Sequence, residues 1–217
     1  MENPRISLVM PCYKRPQRTR RMVECISKQT INNFEAFIIG DGCSDFEQLL
    51  NDSWYQDKVK QIESKGNRIV TFNMDRNYGG YGYAIMNYAR QNCTGNYLVF
   101  TNNDDMITDD HLQYYLSEIE GTDYDMVHYN SLVIPKGNTI RNSQLKEASI
   151  GHSEIIVTRD LARRMPPHTP DYIADWFFIS NAMQSGAKIK KSKNTLKTTY
   201  MVMSIDVYPG RLDTYID

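Results

Sequence analysis

The stretch YLVFTNNDDMITDDHL (residues 97–112) holds a strand, a polar turn and the start of a helix. Tyr97-Leu98-Val99-Phe100 is a short apolar run of the kind that forms a buried strand. It ends in Asn102-Asn103-Asp104-Asp105, where two adjacent carboxylates repel each other. Paired carboxylates beside amide oxygens suit a hard divalent cation, Mn²⁺ or Mg²⁺, so a metal that offsets the repulsion is the first candidate. Thr108-Asp109-Asp110 has a plainer reading, because acids are routine at a helix N-terminus. The helix that follows carries Leu112, Tyr115, Leu116 and Ile119 on one face.

The same strand–turn–helix unit occurs three times upstream. Arg5–Met10 is a short apolar strand closed by Pro11, and the helix over 16–29 turns Met22, Val23 and Ile26 inward. Phe37–Gly40 is a second strand, followed by Asp41-Gly42 and a helix with Phe46, Leu49 and Leu50 inward. Arg68–Asn73 is a third, followed by NYGGYG (77–82) and a helix over 83–92. Four consecutive units predict a doubly wound, largely parallel α/β sheet, whose ligands bind beyond the carboxyl ends of the strands. PCYKR (11–15), GDGCSD (40–45), NYGGYG and NNDD (102–105) should therefore open on one edge. Beyond residue 120 the pattern becomes α+β, with strands at Met126–Val133, Glu154–Val157 and Leu196–Ser204 and a helix over Asp175–Ser185. No repeat or linker divides the 217 residues, so one unit is expected, with a nucleotide-binding half over 1–112 and a second half over 113–217.

Composition narrows the function classes. The net charge of −1 gives no field for nucleic acid or an anionic membrane. No apolar run approaches the roughly 18–20 residues of a membrane span, and the N-terminus lacks a signal-peptide pattern, so a cytoplasmic location is expected. Cys12, Cys25, Cys43 and Cys93 form no CxxC pair and read as free thiols.

Each post-strand segment has a plain reading beside the functional one. Asp41 suits a ribose or base acceptor beyond strand two, yet Asp-Gly is also a common turn pair. NYGGYG admits close backbone approach but does not match GxGxxG. Asp175 is a first-turn charge or N-cap at the head of an apolar helix. Tyr172, Trp176, Phe177 and Tyr129 could stack on a sugar, although Phe177 reads better as core. His152 and His168 are possible late metal ligands, and Lys188, Lys190, Lys191 and Lys193 look like a solvated strand edge.

Taken in order, SLVMPCYKR, QTINNFEAFIIGDGCSD, NYGGYGYAIMNYARQNCTGNYLVFTNNDD and DWFFISNAMQSGAKI resemble the inverting, GT-A-fold glycosyltransferases of family 2. The likeness covers residues 5–112 closely and 150–190 loosely. It implies a Rossmann-like αβα sandwich with a smaller mixed region on the acceptor side. It also implies transfer of a sugar, with inversion, from a nucleoside-diphosphate donor (UDP-linked as the first choice) to a hydroxyl of a glycan, lipid-linked or protein-linked acceptor. By this resemblance Pro11, Tyr13, Arg15, Asp41, Asn77, Gly79, Asn102 and Asn103 fall at donor-binding positions. Asp104 is the family's metal carboxylate, Asp105 extends it, and Asp175 matches the catalytic base. Gly40, Asn102 and Ala174 stand where the family has acids. That departure keeps a non-catalytic sugar-nucleotide-binding module open as an alternative. A sugar nucleotidyltransferase fits less well, because PCYKRPQR lacks glycine. The chain is short for the family, and a longer parent polypeptide is an expectation.

Overall fold

The structure, a computed structural model, describes residues 4–134, 139–193 and 199–202. Its main sheet has seven strands: β1 (Ile6–Cys12), β2 (Phe34–Gly40), β3 (Arg68–Asn73), β4 (Tyr97–Phe100), β6 (Met126–His128), β9 (Ile155–Thr158) and β10 (Ile189–Lys191). The order across the sheet is β10-β6-β9-β4-β1-β2-β3, and only β9 runs antiparallel to its neighbours. The four strands of the repeating units are thus parallel and end on one edge, as the strand–helix alternation predicts. A second, mixed sheet joins β5 (Met106–Ile107), β11 (Thr199–Val202), β7 (Ser131–Ile134) and β8 (Thr139–Arg141).

Both faces of the main sheet are covered, which is why its strands are apolar throughout rather than alternating. On one face Leu8, Met10 and Ile38 pack against α1 (Pro16–Ser27), α2 (Ser44–Leu50), α3 (Ser53–Glu63) and α5 (His111–Ile119). On the other, Val9, Phe37 and Ile39 pack against α4 (Tyr83–Asn92), α6 (Arg159–Arg164) and α7 (Ala174–Gln184). Met22, Val23 and Ile26 of α1 are all buried, as their spacing predicts.

Several elements depart from the sequence reading. The single strand expected at Met126–Val133 is two, β6 and β7, in different sheets. The chain crosses between them at Tyr129, whose ring is stacked on Tyr115 at 3.8 Å between centroids. The strand expected at Leu196–Ser204 is β11 where it is described; residues 196–198 and 203–204 lie outside the described residues. Helices α3 and α6 escaped notice, although each has a side-chain cap, from Asp52 to Tyr55 N and from Thr158 to Leu161 N. Lys190 and Lys191 lie in the edge strand β10 and Lys188 and Lys193 flank it, with Lys188 paired to Asp123 and Lys190 to Glu118.

Two residues of the family-like pattern prove to be structural. Glu35, with no exposed surface, accepts hydrogen bonds from Ser7 Oγ on β1, Arg68 Nη1 on β3, and Thr94 and Gly95 N–H before β4. Gln29 donates through Nε2 to the carbonyls of Cys25 and Thr108 and accepts from Leu112 N. It therefore caps α5 from the turn that follows α1. Asp110 stands at the N-cap position, but its carboxylate takes the Thr108 hydroxyl instead of a helix N–H.

Glu35→Ala leaves several buried donors without acceptors, each costing roughly 1–3 kcal/mol. Chemical unfolding should show a loss of about 3 kcal/mol or more, with Glu35→Gln losing clearly less. A loss within experimental error would remove Glu35 from this role.

Candidate active site

The cleft lies beyond the carboxyl ends of β1, β2, β3 and β4 and encloses about 560 Å³. Segments 11–15, Asp41, Asn77, 79–82, 102–104 and Pro170 line it. Four stretches far apart in the chain therefore converge on one edge, as the parallel topology requires.

The turn after β1 is tight. Lys14 and Arg15 both have positive φ, 54° and 55°, a conformation that costs a non-glycine residue roughly 1–2 kcal/mol. The bend starts α1 directly at the cleft and presents Tyr13, 43% exposed, at the rim. Strained backbone of this kind concentrates at functional sites.

Asp41 is 3% exposed, and its carboxylate accepts from Asn77 Nδ2 at 2.8 Å, Tyr78 N at 2.9 Å and Gly79 N at 3.1 Å. It is the anchor of the NYGGYG loop. The glycines there have separate reasons. Gly79 adopts φ 66°, ψ −151°, which side chains avoid. A Cβ on Gly82 would stand 2.5 Å from Pro11 Cβ, and one on Gly80 equally close to Pro170. The glycine at position 40 is likewise obligatory here, since a Cβ would meet Asn73 Oδ1 at 2.3 Å and the Phe46 ring at 2.4 Å.

The two acids of NNDD part company. Asp104 faces the cleft, ion-paired with Arg15 and 3.7 Å from Arg18 Nη1, while its carbonyl accepts from Arg21 Nη2 at 2.7 Å. Asp105 is 4% exposed, accepts from Asn102 Nδ2 at 3.0 Å and does not line the cleft. Burial, with the nearby charges of Asp104 and Glu154, pushes its carboxyl up to about 7 against the Asn102 hydrogen bond. Asn103 turns its amide nitrogen inward to Thr19 Oγ1 at 3.0 Å and the Lys14 carbonyl.

Among the described residues no group of three or more His, Cys, Asp or Glu could hold a metal alone. Asp104, a carboxylate at the cleft wall, still fits a hard cation of the kind that takes one or two carboxylates and completes its shell with substrate phosphates and water. The cysteines are all buried and unpaired; burial pushes the Cys12, Cys25 and Cys93 thiols up, so they are poor ligands.

Asp175 lies in the first turn of α7, which is capped at Ile173, so it is not the N-cap. Its carboxylate Oδ1 lies against His152 Nδ1, and Oδ2 accepts from His152 N at 3.2 Å. Packing around it raises the carboxyl, but its contacts with His152 outweigh this and hold it below the usual range. The side chain keeps 44% exposure despite those dense surroundings. His152 and His168 spend their Nε2 atoms on each other, at 2.9 Å. Phe177 is 44% exposed, contrary to its reading as core, because the buried stripe of α7 runs through Ala174, Phe178, Ile179 and Ala182. Tyr172 is 82% exposed and meets Tyr81 edge-on, with centroids 5.5 Å apart. Tyr129 is core. Sequence reasoning missed Tyr81, which lines the cleft, and Arg18 and Arg21, which reach Asp104 from α1, since nothing local marks such positions.

Residues 7–183 match the model of glycosyl transferase family 2. An uncharacterized glycosyltransferase of Rickettsia felis is 27% identical over 142 residues, covering 64% of this chain and 21% of the relative. Residues 1–349 of S. aureus TarS, in complex with UDP-GlcNAc, superpose with a TM-score of 0.71 at 16% identity, over 94% of this chain and 60% of that one. The mannosyltransferase PcManGT of Pyrobaculum calidifontis, in complex with GDP-Man and Mn²⁺, gives 0.64 at 13% identity, over 95% and 58%. The chain thus spans about a fifth of the curated relative and 60% of the TarS fragment. These likenesses share the α/β fold with its mostly parallel sheet.

Asp105 binds its proton more tightly folded than unfolded, so it favours folding below 3.8 and loses that contribution as pH rises toward about 7. Asp105→Asn keeps the shape without the titration. Unfolding free energies at pH 4 and pH 8 should show the variant gaining on the wild type by on the order of 2 kcal/mol. A pH-independent difference would mean that Asp105 stays ionised.

Proposed function

Because the chain belongs to glycosyl transferase family 2, we propose that it transfers a sugar with inversion from a nucleoside-diphosphate sugar, UDP-linked as the first choice, to a hydroxyl acceptor. The observation that carries this reading is the convergence of the four post-strand segments on one cleft of about 560 Å³. Tyr13 offers an exposed ring to the base, and Pro11 and the Asp41-anchored loop at Asn77 and Gly79 shape the wall beside it. Arg15, backed by Arg18, supplies positive charge for the diphosphate, with Asn102 and Asn103 alongside. The UDP-GlcNAc and the GDP-Man with Mn²⁺ named for the two neighbours support a nucleotide-sugar donor and a cation.

Asp104 would hold Mn²⁺ or Mg²⁺. When bound, such an ion neutralises the diphosphate leaving group as a Lewis acid. Asp105 is better suited to bracing the turn, because it is buried and bonded to Asn102. Asp175, ionised and open on one edge, takes the proton of the acceptor hydroxyl as the oxygen attacks the anomeric carbon from the face opposite the diphosphate. The four buried free cysteines suit a reducing, cytoplasmic compartment. Among the described residues no helix is long and apolar enough to cross a membrane.

Thermal-shift titration with UDP-, GDP- and dTDP-sugars, each with and without Mn²⁺, tests the donor site. One nucleotide should stabilise the protein, by about 2.7 kcal/mol at 100 times its Kd, and Asp104→Ala should abolish the metal-dependent part. Asp175→Asn should keep that stabilisation and lose transfer by roughly 10²–10⁴-fold. No shift with any donor would sink the reading.

A further inference from the structure

From the geometry around Asp175 we infer that Arg90, His168 and His152 form a one-way chain of hydrogen bonds that aims this carboxylate and keeps it ionised, with His152 its positioning residue. The inference rests on Asp175 as the base. The three side chains are at most 5% exposed, and none of them lines the donor cleft.

The direction of the chain follows from its two ends. A guanidinium can only donate, and Arg90 Nη1 stands 3.3 Å from His168 Nδ1. His168 Nδ1 is then an acceptor, so the neutral ring carries its proton on Nε2. That proton points to His152 Nε2 at 2.9 Å. His152 therefore accepts at Nε2 and carries its own proton on Nδ1, which is in close contact with Asp175 Oδ1 but poorly aligned for a hydrogen bond, so this last link is chiefly electrostatic. An ionised carboxylate can only accept, so both ends agree. The reverse order would set a His152 lone pair against the carboxylate and a His168 N–H against the guanidinium. The other acceptor near His168 Nδ1 is Asn87 Oδ1 at 3.4 Å, which already takes His168 N–H at 2.8 Å and Arg90 Nη1 at 3.4 Å.

Every member is held in place. Arg90 spends its other N–H groups on the carbonyls of Ala162, Met165 and Pro166. His168 is stacked on Phe178 at 5.3 Å, and His152 lies 5.0 Å from Phe100. The backbone N–H of His152 donates to Asp175 Oδ2, so one residue grips both oxygens. A Cβ on Gly151 would stand 3.2 Å from Oδ2, so a side chain at that position would crowd the carboxylate. The chain delivers no proton to substrate; it sets the tautomer and the angle of the group that takes one.

Long-range ¹H–¹⁵N correlation on the ¹⁵N-labelled chain at neutral pH reads the tautomers of the four histidines. His152 should be the Nδ1–H form and His168 the Nε2–H form. An Nε2–H or doubly protonated His152 overturns the proposal whatever the activity. In transfer assays His152→Phe should lower kcat roughly 10–100-fold with donor KM unchanged, and should move the acid limb of the pH–rate profile upward. His152→Asn, whose amide nitrogen can replace Nδ1–H, should restore most of the loss; wild-type kcat and profile in His152→Phe would overturn the role. If Asp175→Asn retains transfer, the reading of Asp175 as base fails, and the positioning role fails with it, even where the tautomers are as stated.

Discussion

A buried carboxylate at the amino edge of the main sheet holds the four parallel strands in register. Glu35 takes hydrogen bonds from β1, from β3 and from the two residues that lead into β4, while its own backbone lies in β2. Parallel strands have no hairpins to set their relative heights, so something else must. With the amino ends tied, strands of similar length finish at similar heights, and the loops that follow them meet around one cleft. Gly95 shows how close the tie is, since a Cβ there would stand 2.6 Å from Ser7 N. Gln29 does related work on one flank, fastening α1 to the start of α5.

Seen from that frame, the run of two aspartates after β4 is no longer a repulsion waiting for a cation. Asp104 is neutralised by Arg15 and Arg18 at the cleft, and Asp105 turns inward, where burial favours its protonated form. Adjacent acids separate in this way because the turn sends successive side chains to opposite sides. Two arginines at the start of α1 thus face one carboxylate, which leaves net positive charge beside the cleft.

The positions where family acids are missing have different physical explanations. At Gly40 there is no room for a side chain, because Phe46 and Asn73 fill the space. The partner acid Asp41 serves the loop. At Ala174 the residue packs inward on the buried stripe of α7, and Asp175 draws its support from His152 rather than from an acidic neighbour.

Local pattern was enough for the strand–helix alternation in residues 5–119, the parallel sheet and the edge on which the segments converge. The reason is that apolar runs, turn residues and helical faces are set by neighbours in sequence. The motif residues at 11–15, 41, 77–79 and 102–104 were legible for the same reason, being attached to strand ends. Tertiary structure alone decided that Asp105 is inside, that Phe177 is outside and that Met126–Val133 divides between two sheets. It alone brought Arg90, His152 and His168 to Asp175, from positions up to 85 residues away. Side-chain roles of this kind depend on what burial and long-range neighbours leave free to bond, and no local pattern carries that information.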